Sequence, residues 1–517
     1  MAESSSLLIG RSRGRSDVTC ATFAVINLAA AVDSADASLL HSVFRALEAD
    51  LQLGPSALSS LSLLQALSMA VAAPVWGVLS DTWPRRSLLS TAVFGWAISS
   101  LLNGCATGLA SFAVLRALNG VALAVITPLS FAMIADMVAP ASRGMAFGLL
   151  TLSNSIGAIA GSTFATSVAG QRVLGFAGWR LPFFVAALLA LLLVPLVRAF
   201  VPHGVPGGRT AKGAGAAAVG GGGGCSGGAR ALVGLRAGAA ARRRAQPHAA
   251  AGHAAGAVWR GAVAGLRLPH DVPAVRFYRA FPGVYAPPCR CLCPPPSHRR
   301  YSGLPDTRAA LVASCCRAGT AAGGFAGGMM SDRCHRASPA HGRIWLAQLA
   351  DLARLPIVFL LFGPRWGAAA GGAPYAALLL LLGFLAPWVG VTNKAILADA
   401  VPARARASAI ALSLALEGAV AACVGAPAVA WLAEEVHGYT APPPGQAIAD
   451  MAPELRSHNA RALSAAMFSM TFWPWLICCL LYSLVHCSFA ADCRLARQAD
   501  RDEGGAGGAV LDVIDGE

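Results

Sequence analysis

Gly77-Val78-Leu79-Ser80-Asp81, followed by Arg85-Arg86, closes one long apolar stretch; Gly328-Met329-Met330-Ser331-Asp332, followed by Arg333 and Arg336, closes another. A second motif recurs in the same order. Ala135-Asp136 with Pro140 and Arg143 is echoed by Ala398-Asp399 with Pro402 and Arg406, and Asp and Arg are seven apart in both copies. The offsets between copies are 251 and 263 residues. Two different motifs repeated in matching order at nearly one period mark two homologous halves of the chain.

The apolar runs around these motifs supply the elements of each half. Spans at 18–43, 56–79, 87–105, 110–137, 144–168 and 180–201 form the first set, and 309–330, 344–362, 375–397, 408–433 and 463–490 the second. Each is close to or above the ~20 residues a helix needs to cross a bilayer. Six plus five is an odd total for a duplicated protein. Composition agrees with a membrane chain: of 517 residues 56% are hydrophobic and 13% charged, about half the charged share of a soluble domain. That excludes an ordinary soluble enzyme. The fourteen cysteines are scattered, several inside apolar runs (Cys105, Cys423, Cys478, Cys479), as small hydrophobes would be. Residues 1–15 lack the short apolar core of a signal peptide.

The net charge of +15 is local. Fourteen basic residues and one acid, Asp271, fall between 203 and 305, so all but +2 of the charge belongs to this segment. It is a linker by composition, with Gly220 to Gly224 in one run and Arg242-Arg243-Arg244 placed to touch anionic lipid; a basic segment of this kind is no nucleic-acid interface. Cys289, Cys291 and Cys293 with His298 are too tightly spaced for a zinc site. The seventh helix of a twelve-helix protein belongs near the end of this segment. Instead the chain has Arg276, Arg279, Pro287-Pro288, Pro294-Pro295-Pro296 and Arg299-Arg300, which no bilayer-crossing helix carries. A shifted reading frame or a retained intron over this stretch accounts for the loss, and the sequence of the full-length transcript tests it.

Orientation follows from the loops. With the N-terminus, the loops after even-numbered helices and the C-terminus in the cytoplasm, the short segments on that side (Arg11, Arg85, Arg143, Arg336, Arg404, Arg494) are richer in Lys/Arg than those opposite (Arg45, Arg172, Arg365), as the positive-inside rule requires. The expected organisation is a cytoplasmic N-terminus (1–17), a six-helix bundle (18–201), a basic Gly/Ala/Pro-rich linker with a degenerate seventh helix (202–306), a second bundle (307–490) and a cytoplasmic tail (491–517).

Gly77-x-Leu79-Ser80-Asp81-x-x-x-Arg85-Arg86 resembles the loop signature of the major facilitator superfamily, with Gly328 to Arg336 as its second copy. Within it the chain is similar to the spinster-like group. That likeness is carried by Asn27-Leu28-Ala29 with Asp33 and Asp36, Arg116-Ala117-Leu118-Asn119-Gly120, Arg143-Gly144-Met145-Ala146-Phe147-Gly148, Gly178-Trp179-Arg180 and Pro474-Trp475. It covers residues ~20–201 and ~307–495 and departs at Pro84, where the signature usually has Gly. The resemblance implies an all-α polytopic fold of twelve helices in two pseudo-symmetric six-helix bundles, and places the polar work of the first bundle on its first and fourth helices.

The motifs have a physical reading of their own. A carboxylate at one helix end and arginines in the next turn pair with neighbouring helices, hold one bundle against the other, and must break when that side opens. Gly77, Asp81, Arg85, Arg86, Asp332 and Arg336 are expected in this gate, with Asp136, Arg143, Asp399 and Arg406. The plainer alternative is helix capping and orientation charge. Within the spans, ionisable residues mark a pathway. Asp33 and Asp36 are three apart on one helix face, where repulsion holds a proton on one of them. Arg116 neutralises one of them or binds an anionic head group; a structural Asp–Arg pair is the alternative. Glu417, before Gly418 and Gly425-Ala426-Pro427, is the candidate of the second half, for coupling or for packing. Lys394 is placed to snorkel to the interface, and Gly157-x-x-x-Gly161 to pack helices closely.

The expected function is secondary transport by alternating access, with carboxylates coupling a small-molecule substrate to protons or another ion. The resemblance suggests a lipid-like or amphipathic substrate such as a lysophospholipid or sphingoid lipid. The rival is a non-transporting sensor or scaffold on a degenerate transporter fold. No HExxH, GxSxG or phosphate-binding loop occurs, so neither an enzyme nor a cofactor is expected.

Overall fold

The computed structural model describes residues 13–51, 55–173, 175–202, 306–362, 372–440 and 451–514. The segment where the seventh helix was sought, with Cys289 to Cys293, lies outside the described residues, as does the separate unit 207–267.

Six apolar helical passes come first: α1 (Arg13–Leu51), α2 (Pro55–Thr82), α3 (Arg85–Cys105), the pair α4 (Leu109–Leu123) and α5 (Ile126–Met137), α6 (Arg143–Ala169) and α7 (Leu181–Phe200). The α4–α5 break has a local cause. Pro128 has no N–H for the carbonyl of Ala124, so the ladder is interrupted, while Ala124 and Val125 keep helical angles; one pass is kinked rather than ended. A two-stranded hairpin, β1 (Arg172–Val173) and β2 (Phe176–Ala177), turns at Gly175 (φ 82°). It leads into Trp179, fully buried against Phe112 and Phe183, whose Nε1–H donates to Asp50 Oδ2 at 2.8 Å.

The second half contains α8 (Asp306–Ala337), α9 (Gly342–Phe362), α10 (Gly372–Ala400), α11 (Arg406–Val420), α12 (Ala426–Trp431) and α13 (Pro453–Ile514). Among the described residues nine helices are long and apolar enough to cross a membrane. The other two expected spans are helical but fall outside these nine, for different reasons. α8 is diluted by Arg317 and its glycines, and 408–433 is segmented by π turns at Ala421–Gly425 and Leu432–Val436.

Small residues set the helix spacing. A Cβ on Gly157 would strike the backbone of Ala31, and one on Gly161 would lie 2.7 Å from Ala35, so α6 lies backbone to backbone on α1. The outward faces stay apolar: Leu188, Leu192, Trp473, Leu480 and Leu484 are all more than half exposed, a surface suited to hydrocarbon. At the Arg85/Arg406 end the core is continuous between halves, since Val391, Ala395, Ala398 and Ile410 pack with Leu129, Ile134 and Phe147.

Candidate functional site

The repeated motifs meet at one end of the molecule. The α5–α6 corner turns through Pro140–Ser142 and the α10–α11 corner through Ala403–Ala405, so Arg143 and Arg406 each open a helix. Each is braced identically by its own half: Arg143 Nε donates to Ala135 O and Arg406 Nε to Ala398 O, both at 2.9 Å. Their guanidinium tips then reach across. Arg143 pairs with Asp399 and Arg406 with Asp136, each joining one half to the other.

A second arginine from within each half completes the pairs. Asp136 also takes Arg85, the first residue of α3, and Asp399 takes Arg343, at the start of α9. Arg343 further contacts Asp332 at 3.2 Å and Pro140 O at 2.6 Å. Asp332 crosses the boundary itself, accepting the N–H groups of Gly144 at 2.8 Å and Met145 at 2.7 Å. These are orphan amides of the α6 N-terminus, where a carboxylate also meets the positive end of the helix dipole. Burial pushes the Asp332 carboxyl above its usual range, against the pull of these amides and Arg343. His335, largely buried one turn further, is pushed down to about 4, first by burial and then by Arg343.

The expected gate residues therefore sit as follows. Asp136, Arg143, Asp399, Arg406, Arg85 and Asp332 converge, and Gly77 lets α2 approach α11, with Ala411 Cβ 2.9 Å from where its own Cβ would be. Arg86 follows Arg85, half-buried. The side chain of Asp81 lies outside the described residues. Arg336 is exposed, its Nε on Asp332 O at 3.3 Å, and Arg343 stands where Arg85 stands in the first half. Sequence reasoning missed Arg343 because it took the nearest arginine. Arg85 is four residues after Asp81, but the second loop is longer and Arg343 is eleven after Asp332. Its position at the opening of the next helix was the available signal.

The interior of the first half holds a polar network. Asp36, 1% exposed, accepts from Ser100 Oγ at 3.0 Å, and Asn119 donates to Ser99 and Ser100, each at 3.2 Å. Gln65 bridges onward, to Asn119 Oδ1 at 2.8 Å and from Arg116 Nη1 at 3.1 Å. Arg116, also 1% exposed, lies over Phe112 and Phe183, and its Nε and Nη2 have no hydrogen-bond acceptor among the described residues. Asp33 is held separately, by Thr127 Oγ1 at 3.5 Å. The two acids share a helix face, yet Asp36 meets Ser100 of α3 and Asp33 meets Thr127 of α5.

In the second half Glu417 is met by Lys394 Nζ at 2.8 Å and Ser413 Oγ at 2.9 Å. Lys394 is 7% exposed. It does not reach for the interface as its place near the end of a span suggested; a buried counter-charge holds it. Asp351 and Arg354 form another buried pair on α9, with Arg354 4.2 Å over Trp475. Arg317 of α8 reaches Ser162 of α6 at 2.9 Å. Neither pair partner nor Arg317 was read from the sequence, although each is an ionisable residue inside an apolar run.

Residues 26–268 match the family model described as Major Facilitator Superfamily. Curated relatives include the multidrug resistance protein MdtG of Salmonella paratyphi C, 34% identical over 135 residues, and a triacylglyceride transporter of Mycobacteroides abscessus, 29% identical over 136 residues. The first match covers 26% of this chain and 32% of the relative, the second 26% of each, so the chain spans a third or less of the lengths of these relatives. Among solved structures, the proton:xylose symporter XylE superposes with a TM-score of 0.60 at 14% identity, over 89% of this chain and 96% of that one. A bacterial homologue of the human lysosomal transporter Spinster, inward-facing and unoccupied, superposes with a TM-score of 0.54 at 17% identity, over 93% and 99%. At these identities the likeness is one of fold.

Proposed function

We propose that this chain is a member of the major facilitator superfamily, a secondary transporter of the spinster-like group that works by alternating access. The reading is carried by the doubled ion-pair exchange, Arg143 with Asp399 and Arg406 with Asp136. Each arginine is braced by carbonyls of its own half and ion-paired with an acid of the other, so separating the halves at this end breaks both pairs together. Such a contact has two discrete arrangements and a small energy gap. By loop charge this end is cytoplasmic, with both termini on the same side.

Asp36 and Arg116 form the coupling centre. A carboxylate at 1% exposure is held by neutral donors, while the nearby guanidinium keeps two nitrogens without an acceptor among the described residues. A proton on Asp36 frees Arg116 electrostatically for an anionic group of the substrate; loss of the proton restores their attraction. The substrate is a lipid-like or amphipathic small molecule, consistent with Phe112 and Phe183 around Arg116 and with a relative named for triacylglyceride transport. Lys394 and Glu417 hold α10 to α11.

The test is uptake of fluorescent lysophospholipid and sphingoid probes into proteoliposomes under imposed pH gradients of either sign. Gradient-dependent uptake that disappears in Asp36→Asn is expected. Binding without uptake of any probe, in protein whose melting is cooperative, overturns the transporter reading in favour of a sensor or scaffold.

A further inference from the structure

The last helix outruns any membrane. α13 has 62 residues, about 93 Å at 1.5 Å per residue, against ~30 Å of hydrocarbon. Beyond residue 490 it still presents a packed stripe: Asp492, Cys493 and Ala496 are buried at helical spacing, while Arg494, Leu495, Arg497 and Gln498 are exposed. Cys493 and Phe489 pack with Ile344 and Ala347 of α9 and Ile396 and Ala400 of α10, the elements that carry Arg343 and Asp399. One turn on, Asp500 Oδ1 accepts the N–H of Ala403 at 2.9 Å. Ala403 opens the turn that delivers Arg406, and an opening N–H of this kind has no partner within its own turn.

The matching corner of the first half is secured otherwise. Pro140 opens it without an N–H, and its carbonyl is taken by Arg343 from across the boundary. The brace of that corner crosses between the halves, while the brace of the Ala403 corner lies within the second half.

We infer that residues 491–502 are an intramolecular strap that sets the resting position of the gate: by fixing the Ala403 corner through Asp500 they keep Arg406 aimed at Asp136 and favour the closed arrangement. The inference rests on the gate reading above.

Hydrogen exchange by mass spectrometry on the full chain in lipid nanodiscs tests it. The amides of Gly144 and Met145 depend for protection on Asp332 across the boundary, so their exchange reports gate opening far from Asp500. In Asp500→Ala, and in a chain ending at Arg497, exchange over 143–148 is expected to rise about fivefold, the effect of losing one capping side chain. Unchanged protection over 88–97 in α3 reports a folded protein; should the truncated chain fail that check, Asp500→Ala, an exposed position, decides. A rise confined to 402–407 overturns the strap, because the contact is then only a local cap. Asp136→Asn separates the two ideas. If it speeds exchange at 143–148 and the Asp500 variant does not, the strap is wrong and the gate stands. If neither does, both fall.

Discussion

The two halves carry the same fold and treat buried charge in opposite ways. In the first, Asp36 and Arg116 are linked through Ser100, Asn119 and Gln65, and among the described residues the guanidinium keeps donors without an acceptor. In the second, Lys394 and Glu417 touch at 2.8 Å with Ser413 completing the shell. A satisfied buried pair is expensive to open and resists change; a half-satisfied network leaves room for a proton or a ligand. On the proposed function, this difference gives coupling to the first half and rigidity to the second. The gate shows a milder asymmetry, since the Asp399 side chain is 6% exposed and that of Asp136 26%.

The sharpest way to break this comparison is at Asp399. Asp399→Asn strands Arg143 and Arg343 together, and removing one member of a buried charge cluster costs about 3–5 kcal/mol. Exchange at Gly144 and Met145 is expected to accelerate by about a hundredfold or more, at 1.4 kcal/mol per factor of ten. An effect smaller than that of Asp136→Asn refutes the ranking. Next comes Lys394→Ala, which leaves Glu417 buried and uncompensated. A loss near 3 kcal/mol is expected in denaturant melts, with most of it recovered in Lys394→Met/Glu417→Leu. If that double variant is stable but no longer transports, Glu417 belongs to coupling and the division of labour between halves is wrong.

Asp136→Asn is expected to be gentler, about 1 kcal/mol against the closed state, because solvent screens the more exposed pair; a gate-distance measurement by spin labels checks it. The smallest effect is that of pH on His335. The closed gate holds the imidazole neutral, with its pKa near 4 against an ordinary 6.5. Its contribution to closure is therefore complete above about pH 6.5 and is lost as pH falls toward 4, so acid opens the gate. His335→Gln should flatten this dependence in the same spin-label experiment, and an unchanged profile removes His335 from the account.

The duplicated halves were readable because a motif pair repeated in order is improbable and a span of ~20 apolar residues has few alternatives. The exchange of partners between Arg143 and Arg406 was not readable. Spacing shows that Asp136 and Arg143 share a corner, but a helix N-terminus aims its first side chain outward to whatever lies opposite. Arg343 was hidden by a longer loop, and Lys394 by the ease with which a lysine near a span end is assigned to the interface. Asp33 and Asp36 share a face, yet a face is wide enough for α3 and α5 to take one acid each.

Where α6 meets α8 the halves touch through Gly144, Gly148, Gly324 and Gly328, and a Cβ on Gly148 would strike the carbonyl of Gly324. At Gly148 and Gly328 backbone meets backbone, with Thr151, Ser331 and Asp332 the side chains beside this line. Contacts between large side chains move by jumping from one rotamer set to another, and each jump is a friction event. Two strips of glycine have no rotamers to change, so the halves can roll on this line as on a smooth bearing while the ion pairs at the end supply the detent.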